Sequence, residues 1–226
     1  PPYVFDGWLH AASPDERARL ERAAVGVLAK LHAIPVDERV RALLDRPKYG
    51  AGALDQHRAY QRDYYEWARE GTRFPVIERT FEWLAAHRPE EGPTVLNWGD
   101  SRIGNILFRD FAPVAVLDWE MAALGPREVD LAWMVQMHQF FQGFADAMGQ
   151  PGLPGFLTKQ SAVALYEELT GHRVRDFDWY FVFAAMRFMI ISTRTTGRAV
   201  AYGQMEAPAS PDELILNRSQ VLPFID

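Results

Sequence analysis

Hydrophobic positions recur at helical spacing over most of this chain. Leu20, Ala24, Val27, Leu28 and Leu31 follow Ser13-Pro14-Asp15-Glu16. That tetrapeptide supplies a capping serine, a first-turn proline and the glutamate of a capping box, so a helix is predicted from Ser13 to a stop at Pro35. Residues 54–70 and 75–87 are amphipathic and are broken by Gly71 and Pro89. Their pattern predicts Tyr60, Tyr64, Trp67, Ile77, Phe81 and Leu84 as inward residues. Residues 127–147, 160–170 and 177–196 also read as helical. The last carries Phe181, Phe183, Met186, Met189 and Ile190, is apolar nearly all round, and is predicted to be a buried central helix. Ser210-Pro211-Asp212-Glu213 repeats the helix-start signal ahead of Leu214, Leu216 and Val221.

The middle of the chain changes period. Thr94-Val95-Leu96-Asn97-Trp98 reads as a short strand. Asn105 to Phe108 and Val114 to Leu117 read as two more, joined through Arg109 to Pro113 as a tight hairpin. The predicted class is therefore α+β and mainly α-helical, with one small β-element. Polar residues gather at the ends of its strands, where a helical scaffold holds them still. The Gly- and Pro-rich run from Gly149 to Gly155 reads as a loop within the domain.

Composition narrows the function classes. The 226 residues are 48% hydrophobic and 24% charged, an ordinary globular balance. Twenty-four Lys and Arg stand against 30 Asp and Glu, a net charge of −6, which argues against nucleic acid as the main partner. There is no cysteine, so disulfides, zinc–thiolate sites and thiol nucleophiles are excluded, and a cytoplasmic, reducing location is expected. The most apolar run, Trp179 to Ile191, is too short to span a membrane and carries Arg187, and no signal peptide is visible, so no membrane partner is expected. The chain opens Pro1-Pro2-Tyr3-Val4-Phe5 without a methionine, and it is expected to be a piece of a longer protein. The six histidines show no metal-ligand spacing, and no G-x-S-x-G is present.

The candidate chemistry lies in Trp98-Gly99-Asp100-Ser101-Arg102-Ile103-Gly104-Asn105 and in Val116-Leu117-Asp118-Trp119-Glu120. An Asp is followed five residues later by an Asn, and a second Asp ends a hydrophobic strand thirteen residues after that. A single loop Asp is ordinarily a turn residue. Three such groups at this spacing fit phosphoryl transfer, where one carboxylate orients the attacking hydroxyl and two oxygen ligands hold magnesium against the nucleotide phosphates. Asp100, Asn105 and Asp118 fill those places.

These motifs, together with Val114 to Glu120, Gly125-Pro126-Arg127-Glu128-Val129-Asp130-Leu131-Ala132-Trp133 and Phe5-Asp6-Gly7-Trp8-Leu9, resemble the aminoglycoside phosphotransferase and choline kinase superfamily. The branch is similar to the kinase-like domain attached to some acyl-CoA dehydrogenases. The resemblance implies the C-terminal lobe of a protein-kinase-like fold, ATP or GTP as co-substrate, Mg2+, and a small-molecule hydroxyl acceptor. It implies Asp100 as catalytic base and Asn105 and Asp118 as magnesium ligands. Glu120 would lie beside the metal or the acceptor, and Asp130 would hold the catalytic loop. Arg102, by its charge and place, would reach phosphate or an acidic substrate.

Two departures from the family pattern stand out. Trp98 occupies the place of the motif's usual His and would pack where the imidazole does, supporting the loop. The nucleotide-gripping lobe is not found: Lys30, Lys48 and Lys159 follow no suitable strand, and Gly50-Ala51-Gly52 lacks the third glycine. Residues 1–226 are thus expected to form a single C-terminal lobe, inactive alone, that works with an N-terminal lobe supplied in cis. The alternative from another class is a non-catalytic, pseudokinase-like binding module. Metal-dependent phosphoester hydrolysis is weaker, since such sites use more carboxylate or His ligands.

Overall fold

A computed structural model describes residues 3–226; Pro1 and Pro2, part of the opening read above, lie outside the described residues. In chain order the elements are α1 (Gly7–Ala11), α2 (Pro14–His32), α3 (Glu38–Leu44), α4 (Ala53–Ala68), α5 (Pro75–Ala86), β1 (Val95–Asn97), β2 (Ile106–Arg109), β3 (Ala112–Val116), β4 (Ala123–Gly125), α6 (Glu128–Ala147), α7 (Lys159–Thr170), α8 (Phe177–Ala201) and α9 (Leu222–Ile225). The class is α+β and mainly helical. The chain divides into two compact units, residues 3–45 with 92–177, and residues 46–91 with 178–226. Among the described residues no helix is long and apolar enough to cross a membrane.

The first unit carries the β-element. Its longest N-terminal helix, α2, begins with the complete capping box: the Ser13 hydroxyl accepts from the Glu16 N–H, and the Glu16 carboxylate accepts from the Ser13 N–H at 2.8 Å. The helix buries Leu20, Ala24, Val25, Val27 and Leu28 and ends at His32, ahead of Pro35. Two antiparallel pairs form, β1 with β4 (Leu96 opposite Leu124) and β2 with β3 (Ile106 opposite Val116). The β2–β3 turn is tighter than the five-residue link expected. Asp110 and Phe111 both take positive φ (51° and 61°), as a two-residue hairpin turn requires, and Pro113 sits inside β3 beside a register shift. Trp8 packs on Phe108 and Phe111 at 6.1 and 5.5 Å and covers this turn.

The second unit is helical. In α8, residues from Trp179 to Ile190 are buried almost without interruption, and Trp179 and Phe183 stack at 5.5 Å. One expectation fails in α4. Tyr60 and Trp67 are exposed, 36% and 61%, and stack along the surface with Tyr64. The stripe that buries is Leu54, His57, Gln61, Tyr65 and Ala68. Both stripes have helical spacing, so the period alone does not choose between them. The second failure is at Ser210, whose capping signal starts only a short 3-10 turn, Pro211–Leu214. The Asp212 carboxylate instead accepts the Val76 N–H, at 3.1 Å, and caps the first turn of α5.

Candidate active site

The loop between β1 and β2 is fixed by its backbone. Gly99 has φ +95°, and a Cβ added there would stand 2.1 Å from the Met121 carbonyl oxygen, so only glycine lets the chain pass so close. Asp130, in the first turn of α6, then clamps the loop. Its carboxylate accepts the N–H of Trp98 at 2.7 Å and of Gly99 at 2.8 Å, and its carbonyl accepts the Ser101 hydroxyl at 2.7 Å. His32 Nε2 lies 3.1 Å from the same carboxylate, and its Nδ1 lies 2.6 Å from the Tyr166 hydroxyl. Asp130 is fully buried, and this set of donors offsets its desolvation. Burial pushes the Tyr166 hydroxyl upward from the usual phenol range, so it stays a neutral donor and acceptor.

On this loop the Asp100 carboxylate is mostly covered, its side chain 14% exposed. Oδ1 accepts the indole N–H of Trp133 at 2.8 Å. Oδ2 accepts Asn105 Nδ2 at 2.7 Å and Arg102 Nε at 3.0 Å. Because its amide NH2 is spent on Asp100, Asn105 presents its Oδ1 as an oxygen donor. The Asn105 carbonyl accepts the Leu117 N–H at 2.8 Å, extending the β2–β3 ladder by one step. Asp118 follows directly, with φ +62° and an exposed side chain. Trp98, fully buried, donates its indole N–H to the carbonyls of Leu117 (2.8 Å) and Asp118 (3.2 Å). Asp100, Asn105 and the Asp118 backbone are therefore tied into one constellation.

The other candidates sit at its margin. Glu120 is exposed in the turn two residues beyond Asp118, and no contact of its side chain with Asp100 or Asn105 is found among the described residues. Arg102 spans from Asp100 to a cavity of about 570 Å³ walled by Trp8, Phe108, Met134, Met137 and Phe141. His138, which also lines the cavity, lies 2.8 Å from the Tyr3 hydroxyl and 3.1 Å from the Leu153 carbonyl, and burial pushes it down to about 4. Among the described residues no three His, Cys, Asp or Glu side chains form a metal cage. An amide oxygen on the β1–β2 loop and an exposed carboxylate on the neighbouring β3–β4 loop suit a hard cation that takes its remaining ligands from phosphate and water, which is how magnesium is bound.

Sequence reasoning missed three contributors. His32 and Tyr166 come from distant helices, and only the three-dimensional packing brings them to Asp130. Trp133 stood in the quoted motif without a role; its place one turn after Asp130 on α6 was the signal available.

A family model for phosphotransferase enzymes matches residues 3–166. The chain is similar to mouse acyl-CoA dehydrogenase family member 10, 33% identical over 130 residues, which are 57% of this chain and 12% of that protein. It thus spans a small part of that relative's length. Its fold is similar to a Ralstonia eutropha protein assigned to the aminoglycoside phosphotransferases, with TM-score 0.65, 24% identity, 95% of this chain and 64% of that one. It is also similar to the ternary complex of APH(2″)-IIa with streptomycin and ATP, with TM-score 0.56, 14% identity, 92% of this chain and 65% of that one. With the family model covering most of its length, this chain belongs to the phosphotransferase enzyme family.

Proposed function

We propose that this chain is the catalytic lobe of a small-molecule O-phosphotransferase that moves the γ-phosphoryl group of ATP, or GTP, to an acceptor hydroxyl. The observation that carries this reading is the Asp100–Asn105 side-chain bond, 2.7 Å, on the same loop that Trp98 ties to Asp118. Asp100 receives the proton of the acceptor hydroxyl as its oxygen bonds to the γ-phosphorus. The bond to the bridging oxygen breaks, and the nucleoside diphosphate leaves. Asn105 Oδ1 and the Asp118 carboxylate would hold Mg2+, which neutralises phosphate charge when bound. Arg102 would reach a phosphate or an acidic substrate group, and Glu120 would lie beside the metal or the acceptor. Asp130 and Trp98 hold the loop in shape.

The phosphate-gripping lobe belongs, on this reading, to protein outside residues 1–226. No glycine-rich loop with a strand Lys is found here, and the chain spans 64% of the Ralstonia protein. The chain alone is then expected to bind nucleotide weakly and to turn it over poorly. The reading places the protein in the cytoplasm, with the nucleoside triphosphate pool.

The test is nucleotide consumption, with magnesium, by the longest natural protein that contains this chain, across a panel of hydroxyl acceptors. Acceptor-dependent diphosphate release that disappears in Asp100→Asn is expected. No turnover with any acceptor, together with no magnesium–nucleotide binding by calorimetry, overturns the proposal in favour of a non-catalytic binding module.

A further inference from the structure

Three donors converge on one carboxylate at this site, and they do not share its two oxygens equally. Asn105 and Arg102 both bond Oδ2, at 2.7 and 3.0 Å. Among the described residues, Trp133 alone bonds Oδ1, at 2.8 Å. A carboxylate has about two acceptor positions on each oxygen, so Oδ2 is filled and Oδ1 keeps one place. The indole N–H is a donor only. It cannot take a proton from Asp100 and cannot turn round to accept a bond instead. Trp133 is buried, 2% exposed, on the helix turn that also carries Asp130. One helix turn therefore fixes the loop's backbone through Asp130 and aims its carboxylate through Trp133.

We infer that Trp133 is a positioning residue for the transfer reaction: its N–H sets the rotation of the Asp100 carboxylate so that the open place on Oδ1 receives the acceptor hydroxyl. This rests on the reading of Asp100 as the base. Without the indole N–H the carboxylate keeps its bonds on Oδ2 but is free to swing Oδ1 out of line. The nucleotide and its metal would still bind, because Asn105 and Asp118 are untouched, whereas the reactive alignment would be lost.

The test uses the full protein with the acceptor found by the panel, or slow nucleotide hydrolysis where water is the acceptor. Trp133→Phe removes the donor, and a second variant carries 3-benzothienylalanine at position 133, which keeps the indole shape and replaces N–H by sulfur. Both are expected to lower kcat roughly ten- to hundredfold, the scale of a charge-assisted hydrogen bond used in the transition state. The KM for nucleotide should change less than about twofold. In nitrogen–proton correlation spectra, the indole resonance that vanishes in Trp133→Phe should shift in Asp100→Asn while the other indole resonances hold still. A wild-type kcat in the benzothienyl variant, or an indole resonance indifferent to Asp100→Asn, overturns the proposal. Turnover that survives Asp100→Asn overturns the underlying reading instead, so the two failures are separable. If Trp133→Phe does not fold, the benzothienyl variant and the indole shift decide.

Discussion

Asp130 and Trp133 lie one turn apart on α6 and reach the same loop at two levels, Asp130 at the N–H groups of Trp98 and Gly99, Trp133 at the carboxylate of Asp100. A helix is stiff on the scale of a side chain, so this spacing converts the position of one buried helix into the position of the Asp100 carboxylate. The buried relay behind it, Tyr166 to His32 to Asp130, ties α7 and α2 to the same point. The loop thus depends on three helices of the first unit.

Asp130→Asn should be strongly destabilising. The carboxylate accepts on both oxygens, and an amide offers one oxygen only, leaving its NH2 to face a backbone N–H or His32. Losing one such buried, charge-assisted bond and setting donor against donor costs about 2–4 kcal/mol. Urea unfolding of wild type and variant measures it. A loss below 1 kcal/mol would mean that the clamp is dispensable.

Gly99→Ala should cost more than an ordinary turn glycine. At φ +95° an L-residue is strained, and the Cβ would meet the Met121 carbonyl at 2.1 Å, which is backbone and does not swing aside. Strain and overlap together are worth about 3 kcal/mol or more. Thermal unfolding should fall by many degrees, whereas Gly71→Ala, with positive φ but open space around it, should fall by much less.

Legibility in this chain followed distance along the sequence. Asp100 and Asn105 are five residues apart on one loop, and the strand that ends before Asp118 pairs with the strand that follows Asn105, so local spacing was enough to set Asp118 on the loop beside theirs. His32 reaches Asp130 from 98 residues away, and Tyr166 bonds His32 across 134 residues, so no local pattern announces them. β4, three residues long, is too short to show an alternation. The α4 stripe was misread because two stripes share one period. The Ser210 signal was misread because Asp212 finds a better use at the start of α5 than in a helix of its own. The turn Asp110-Phe111 places an aromatic at positive φ, where Trp8 packs on its ring; that tertiary contact overrides the residue's own preference.

Trp98→Phe tests the buried aromatic at the head of the Asp100 loop. Phenylalanine keeps most of the buried ring and drops the N–H that Leu117 and Asp118 accept. The lost bonds should lower stability by about 1–2 kcal/mol. The Asp118 segment should also loosen, so magnesium–nucleotide affinity of the full protein should weaken several-fold in calorimetry. Trp98→His, which restores a ring N–H, should recover part of the affinity. Equal affinity in all three proteins would mean that Trp98 only fills space.

Acid should destabilise the first unit through His138. Burial lowers this imidazole from 6.5 to about 4, with Nε2 on the Leu153 carbonyl and Nδ1 on the Tyr3 hydroxyl. The folded state therefore holds His138 neutral where the unfolded chain would bind a proton. Between pH 6.5 and 4 the unfolded state carries more protons, so stability falls as pH falls across that window and levels below it. The contribution of this one group is of order 3 kcal/mol. His138→Gln keeps a donor and an acceptor but does not titrate, so its stability should fall less over the same window. Urea unfolding at pH 7, 5.5 and 4 gives both curves, and parallel curves for the two proteins would remove His138 as the cause.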